Sequence, residues 1–342
     1  MNVDATSWHG GAVWTHRSDA VLAVAVWTER RPGYGEDAEP LFAHHLPTAQ
    51  GITGVFDGAA GAGASAAYEP GDGTVRNGAW VGSRTARAAV ESWFRGHVER
   101  GTAPDTESLR RRADEFLTSM RPSSRSKVVG TVRKDLPTTM AVAQYELRQG
   151  QAHCRALWAG DSRVYALTPR AGLQALTRDH TAETDALEQL RRDPPMTNLL
   201  SAGRPFDVDV NTLTVGLPCV LVTATDGFFG YVPAPAYFEW HLLDTLGQAH
   251  DEGNWGLLLA RRVMGYTADD ASLSVVALGF HDFAHLRESF SVRANDVHIK
   301  YVAAGPPSDH DPEAVRAWQT ETWHAYRELY EKRMPAYTEV RA

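Results

Sequence analysis

Cysteine is nearly missing from this sequence: among 342 residues only Cys154 and Cys219 occur. Each lies in an apolar stretch that reads as a strand, so both read as inert buried thiols rather than a disulfide or a thiol nucleophile. Lysine is scarce too, with only Lys127, Lys134, Lys300 and Lys332, and an arginine bias of this kind is expected from a GC-rich bacterial genome. No apolar run approaches the roughly 20 residues of a membrane-spanning helix, so no membrane association is expected. Dense basic clusters are limited to Arg110 to Arg112, and the formal net charge is −8. Nucleic acid is therefore not an expected partner, because phosphate backbones bind clustered cations. The polar start, Met1 to Ser7, lacks the basic, apolar and small-residue regions of a secretory signal, which makes a cytoplasmic address the expectation. A phosphate-cradling glycine loop of the nucleotide-binding kind and a nucleophilic thiol motif are both missing.

What is present is a chain 43% hydrophobic and 22% charged, a composition that can bury a sizeable core in one elaborated domain. The apolar pattern switches between period two and period 3.6 without an internal repeat, which predicts mixed α and β structure. Strands are expected over Ala20 to Thr28, Gly51 to Phe56, Met140 to Leu147, His153 to Trp158, Arg163 to Leu167, Cys219 to Ala224 and Ser272 to Gly279. Between Ala156 and Leu167 the apolar residues flank Gly160, Asp161 and Ser162, the pattern of a tight turn joining an antiparallel hairpin. Helical spacing appears from Val81 to Val98, again after Asp105 as an N-cap, and over Thr181 to Arg191. The proline- and glycine-bearing segment Asp193 to Pro205 is a surface-flap candidate. After Asp311 and Pro312, the stripe Val315, Trp318, Thr322, Tyr326 and Leu329 predicts a helix docked on the domain.

Four acidic sites share one local grammar, an apolar strand adjoining an Asp and a small or polar turn. They are Val55-Phe56-Asp57-Gly58, Trp158-Ala159-Gly160-Asp161, Thr223-Ala224-Thr225-Asp226-Gly227, and Asp269-Asp270 before the strand at Ser272. Singly, each is an ordinary turn signal. Gathered at one sheet edge, such carboxylates repel one another without cations, and their hard oxygens suit Mg²⁺ or Mn²⁺.

The order of these segments resembles the metal-dependent protein phosphatases (type 2C, or PPM, serine/threonine phosphatases) over nearly all of residues 20 to 280. The matching segments also include Gly35-Glu36-Asp37-Ala38, Thr138-Thr139, Ala159-Gly160-Asp161-Ser162-Arg163, Leu176-Thr177-Arg178-Asp179-His180 and Ala224-Thr225-Asp226-Gly227-Phe228. The resemblance implies an α+β fold, a four-layer α-β-β-α sandwich of two antiparallel sheets with a dinuclear metal site at one end. It implies a phosphatase domain over residues 1–280 and a C-terminal extension over residues 281–342. By position, Asp57 matches the carboxylate bridging two Mn²⁺ or Mg²⁺ ions, the Gly58 carbonyl a ligand of the second, and Asp226 and Asp269 the other direct ligands. Glu36 and Asp37 match acidic residues that hold water on the cations, and Asp161 matches the ligand of a weaker third ion. Asp270 reads as a turn residue. The implied reaction is hydrolysis of phosphoserine or phosphothreonine in proteins by a metal-activated water, with a serine/threonine kinase as antagonist.

Three departures from the family pattern stand out. Pro32 occupies the place of a phosphate-gripping arginine, so Arg31 serves only if the loop shifts by one residue, with Arg30 beside it. Ala59 replaces a histidine found in eukaryotic members, and Pro137 replaces the glycine before Thr138. His180 reads as a hydrogen-bonded structural group, and the glycine-rich stretch Gly61 to Trp80 as a border of the cleft. Two alternatives stay open: a phosphatase of a small phosphorylated metabolite, and a pseudophosphatase that binds a phosphoprotein or regulatory partner without turnover.

Overall fold

The computed structural model describes residues 11–19, 21–59, 63, 66–69, 74–121, 135–192, 194–306 and 311–336. Strand β1 (Gly11–Arg17) pairs with β2 (Val21–Thr28), and β3 (Leu41–His45) pairs with β4 (Gln50–Val55). The short β5 (Ala66–Tyr68) and β6 (Arg76–Asn77) precede helices α1 (Gly78–Arg100) and α2 (Thr106–Ser119). Five strands follow, β7 (Asp135–Thr138), β8 (Met140–Arg148), β9 (Gln151–Ala159), β10 (Arg163–Thr168) and β11 (Gly172–Ala175). Helix α3 (Ala186–Arg191) leads to β12 (Leu200–Ala202), β13 (Asp209–Gly216) and β14 (Cys219–Ala224). Helices α4 (Asp226–Phe229), α5 (Ala236–Gln248) and α6 (Glu252–Met264) come next. Then come β15 (Ala271–Leu278), α7 (Phe283–Val297) and α8 (Pro312–Glu331).

The strands form a six-stranded sheet in the order β1-β2-β15-β14-β10-β11 and a five-stranded sheet in the order β13-β9-β8-β4-β3. Neighbours in both are antiparallel. Alternation along β2 explains the layering. Val24 and Val26 enter the core shared with α5, α6 and α7, whereas Val21 and Ala23 enter the core between the sheets, with Val55, Ala141 and Leu221. Burial on both faces makes such strands read as continuous apolar runs. The five-stranded sheet packs its other face on α1 and α2 through Phe56, Val142 and Leu157 against Val90, Trp93 and Leu109. The result is the α-β-β-α sandwich of two antiparallel sheets that the sequence resemblance implies.

Three local expectations are corrected. The turn at Gly160 to Ser162 is not a hairpin: β9 pairs with β8 and β13, while β10 pairs with β14 and β11 in the other sheet. Gly160, at φ +103°, carries the chain across the sandwich. The helix expected from Thr181 begins only at Ala186, because Thr181 bridges to Met196 and the Glu183 carboxylate takes the N–H groups of Thr184 and Asp185. The flap candidate is in part a packed arm, with β12 paired to β7 and Leu199, Leu200 and Ala202 buried.

Helix α8 lies against β11 and the outer core of the six-stranded sheet, with Trp323, Tyr326 and Tyr330 buried there. The Tyr326 hydroxyl donates to Glu239 Oε2 at 2.7 Å, and buried Glu239 accepts from Arg293 Nε at 2.7 Å and Nη2 at 2.8 Å. Both thiols are buried and free. Burial drives the thiol of Cys219 up to about 12 and that of Cys154 further still, so neither supplies thiolate near neutrality. Among the described residues no helix is long and apolar enough to cross a membrane.

Candidate active site

At the end of β4, the Asp57 carbonyl accepts from the Thr139 N–H at 2.8 Å and from Thr138 Oγ1 at 2.7 Å. Thr139 Oγ1 in turn lies 2.6 Å from Ser162 Oγ, which ties the Asp57 loop to the Asp161 turn. Gly58 bridges Thr138, and a Cβ there would stand 2.7 Å from the Glu36 carbonyl oxygen, closer than a side chain tolerates.

On the other sheet, Thr225 precedes Asp226 and donates its hydroxyl to Asp37 Oδ2 at 3.0 Å while accepting the Ser272 N–H at 2.9 Å. Asp37 and Asp57 each raise or lower the other's proton affinity, the mark of two neighbouring carboxyl groups. Burial, then the charge of Asp270, pushes Asp37 up to about 8. Burial and neighbouring carboxylates also hold Asp57 and Asp226 well above the usual carboxylate range; Asp161 and Asp269 act on both. Desolvation raises Asp269 as well.

Glu36 is half-buried on the loop between β2 and β3. Asn77, the N-cap of α1, donates its amide to Glu36 Oε1, and Ser83 Oγ donates to the Glu36 carbonyl at 2.5 Å. Burial raises the Glu36 carboxyl most, with further contributions from Asp270 and Asp269. Asp161, Asp226 and Asp269 line a cleft of about 330 Å³ together with Tyr231, Arg191 and Arg192.

Among the described residues, no three His, Cys, Asp or Glu side chains converge closely enough to enclose an ion as they stand. The donor set nevertheless fits a hard divalent cation in chemistry. Its side chains are all carboxylates, and a field that raises proton affinity this broadly also favours Mg²⁺ or Mn²⁺.

A sex-determining protein from C. elegans aligns over 80% of this chain and 68% of its own, at 14% identity and a TM-score of 0.56. A phosphatase from Toxoplasma gondii aligns over 78% of this chain and 95% of its own, at 17% identity and a TM-score of 0.51. The chain shares its fold with this phosphatase. The PPM Ser-Thr phosphatase MsPP from Mycobacterium smegmatis, in complex with cacodylate, also aligns, at 17% identity and a TM-score of 0.47 over 80% of this chain and 99% of its own. No protein-family model matches the sequence, and no curated protein matches it.

Arg31 is not among the residues that line this cleft, and its guanidinium lies 4.0 Å above the Tyr34 ring. Arg30 is nearer the carboxylates, and its charge acts on Asp269. Asp270 accepts the N–H of Arg30 at 2.8 Å and of Glu36 at 2.6 Å, and so closes the loop that presents Glu36. His180 is held structurally: Nδ1 accepts from the Gly160 N–H at 3.1 Å, Nε2 lies 3.2 Å from Asp209, and the ring stacks on Trp158. Of Gly61 to Trp80, residues 61–62, 64–65 and 70–73 lie outside the described residues; Arg76 and Trp80 are in cation–π contact. Asn77, Thr225 and Tyr231 escaped sequence reading. Only Asn77 carried a local signal, as a cap residue before a helical pattern.

Proposed function

We propose that this chain is a metal-dependent phosphomonoesterase acting on phosphoserine or phosphothreonine in proteins, opposed by a serine/threonine kinase. The observation that carries this reading is that Asp161, Asp226 and Asp269 line one cleft, with Asp37 tied to Thr225 beside Asp226 and the Asp57 loop tied to the Asp161 turn, in a fold shared with a phosphatase. Asp57, the Gly58 carbonyl, Asp226 and Asp269 would hold two Mn²⁺ or Mg²⁺ ions, and Asp161 a weaker third. When bound, the two cations lower the pKa of water toward neutrality and neutralise phosphoryl oxygens. Glu36, oriented by Asn77 and Asp270, holds water at the site, and Asp37 does so from its contact with Thr225. The Tyr231 hydroxyl, 3.5 Å from Asp269 Oδ2, steadies that carboxylate at the cleft wall.

The test is hydrolysis of para-nitrophenyl phosphate with and without Mn²⁺, followed by a phosphoserine peptide. Turnover that requires Mn²⁺ on both substrates is expected. Folded protein without turnover in saturating Mn²⁺, yet binding the phosphopeptide, would make the chain a binding module instead.

A further inference from the structure

Helix α3 lines the cleft through Gln189, Leu190 and Arg191. At six residues it is too short to persist on its own propensity. Helix α8 holds it. Arg191 donates Nε to Gln319 Oε1 at 3.1 Å and Nη2 to the Arg316 carbonyl at 2.8 Å and Thr320 Oγ1 at 3.0 Å. Asp185, which caps α3, accepts from Trp323 Nε1 at 3.1 Å and pairs with Arg327 at 2.9 Å. Gln189 accepts from Arg163 Nη2 at 2.6 Å, and Arg163 Nη1 donates to the Tyr330 hydroxyl at 3.2 Å. The C-terminal helix is thus the outer support of one cleft wall.

These contacts also account for two of the three arginines of the cleft. Arg163 is buried and neutralised by Asp179 at 2.7 Å, and Arg191 is tied to α8 and to Glu188 at 2.8 Å. Arg192, at the C-cap of α3, is exposed, and its guanidinium makes no hydrogen bond or ion pair with the described residues. It lines the same cleft as Asp161, Asp226 and Asp269 in a chain of net charge −8. An acidic peptide approaching such a cleft meets repulsion that an exposed guanidinium in its wall offsets.

We infer that Arg192, positioned by α8 through Arg191, recognises an acidic side chain next to the phosphorylated residue of a peptide substrate; this rests on the phosphatase reading above. The phosphoryl group belongs at the carboxylate end, where Asp226 and Asp269 would hold the cations. Arg192 meets what lies beside it, and its planar fork suits a carboxylate.

The test uses the full chain with Mn²⁺ and three substrates: a phosphoserine peptide with Glu beside the phosphoserine, the same peptide with Gln there, and para-nitrophenyl phosphate. For Arg192→Gln, kcat/KM should fall about fivefold on the Glu peptide, mainly through KM, as loss of an exposed ion pair predicts. The Gln peptide should fall by less than twofold, so the preference between peptides disappears. Gln319→Leu with Thr320→Val, which removes two of the three bonds that hold Arg191 to α8, should erode the same preference with the Arg192 guanidinium intact. Equal loss on both peptides, or none, would overturn the assignment. If the wild type turns over none of the three substrates, the phosphatase reading fails by itself. Fluorescence anisotropy of the two labelled peptides then decides: a wild-type preference for Glu that Arg192→Gln abolishes supports the assignment, and no preference overturns it.

Discussion

Asp270 Oδ2 accepts the Glu36 backbone N–H at 2.6 Å, across 234 residues of sequence. The companion bond from the Arg30 N–H to Oδ1, at 2.8 Å, makes Asp270 a clamp on the loop that presents Glu36 and Asp37. Asp270→Ala should therefore weaken apparent Mn²⁺ affinity by about tenfold, the usual effect of losing a residue that orients ligands. Asp270→Asn, which keeps one acceptor oxygen, should recover part of it. A Mn²⁺ titration of activity for both variants checks this.

Asp226→Asn should abolish turnover while the metal-free protein becomes more stable. Burial and the charges of Asp57, Asp161 and Asp269 all penalise the Asp226 carboxylate, and the amide removes that penalty. A rise of about 2 °C or more in apo melting temperature is expected, since about 1 kcal/mol shifts Tm by a few degrees in a domain of this size. Wild-type turnover in saturating Mn²⁺ would take Asp226 out of the site.

Removing residues after Gly305 should lower the melting temperature, because Trp323, Tyr326 and Tyr330 belong to the core outside the six-stranded sheet. Tyr326→Phe isolates one part of that contribution. It keeps the ring and deletes the hydroxyl bond to charged Glu239, at a cost of about 1.5–3 kcal/mol. Urea denaturation of both proteins reads the effect, and a truncated chain that melts like the full one would make α8 an independent docking element.

Acid sensitivity should trace in part to His241, which burial pushes down to about 4. Its Nδ1 is buried without a hydrogen-bond partner among the described residues, and its ring contacts those of Tyr237 and Tyr266. The depressed pKa means the folded chain refuses a proton that the unfolded chain accepts. Stability is therefore full above the ordinary value of 6.5 and falls as pH drops toward about 4, by up to roughly 1.4 kcal/mol per pH unit. His241→Phe should flatten that slope, as measured by denaturation at pH 7, 6 and 5.

Legibility in the sequence followed the range of the forces involved. Strands such as β14 and β15 were readable because burial on both faces leaves a continuous apolar run, and the caps Asp105 and Asp311 because capping is local. The Gly160 turn shows the limit. An apolar run, a turn and a second apolar run describe a hairpin and a crossover between sheets equally well, and only the partners β8 and β14 distinguish them. Thr181 to Asp185 failed for a related reason, since the Thr181–Met196 bridge outcompetes local helical spacing.

The sequence by itself determined mixed α and β structure and the carboxylates beside strand ends, because periodicity and the adjoining of strand, Asp and turn are written in neighbouring residues; the layered sandwich came from the ordered resemblance of those segments to a family. Tertiary structure alone decided which groups hold those carboxylates and which cation faces the cleft. Thr225 reaches Asp37 across 188 residues and Asp270 reaches Glu36 across 234. Arg191 and Arg192 are adjacent and chemically identical, yet α8 binds one guanidinium and leaves the other exposed. No pattern in the local sequence carries that difference, because it arises from a helix more than a hundred residues further along the chain that folds back onto the cleft wall.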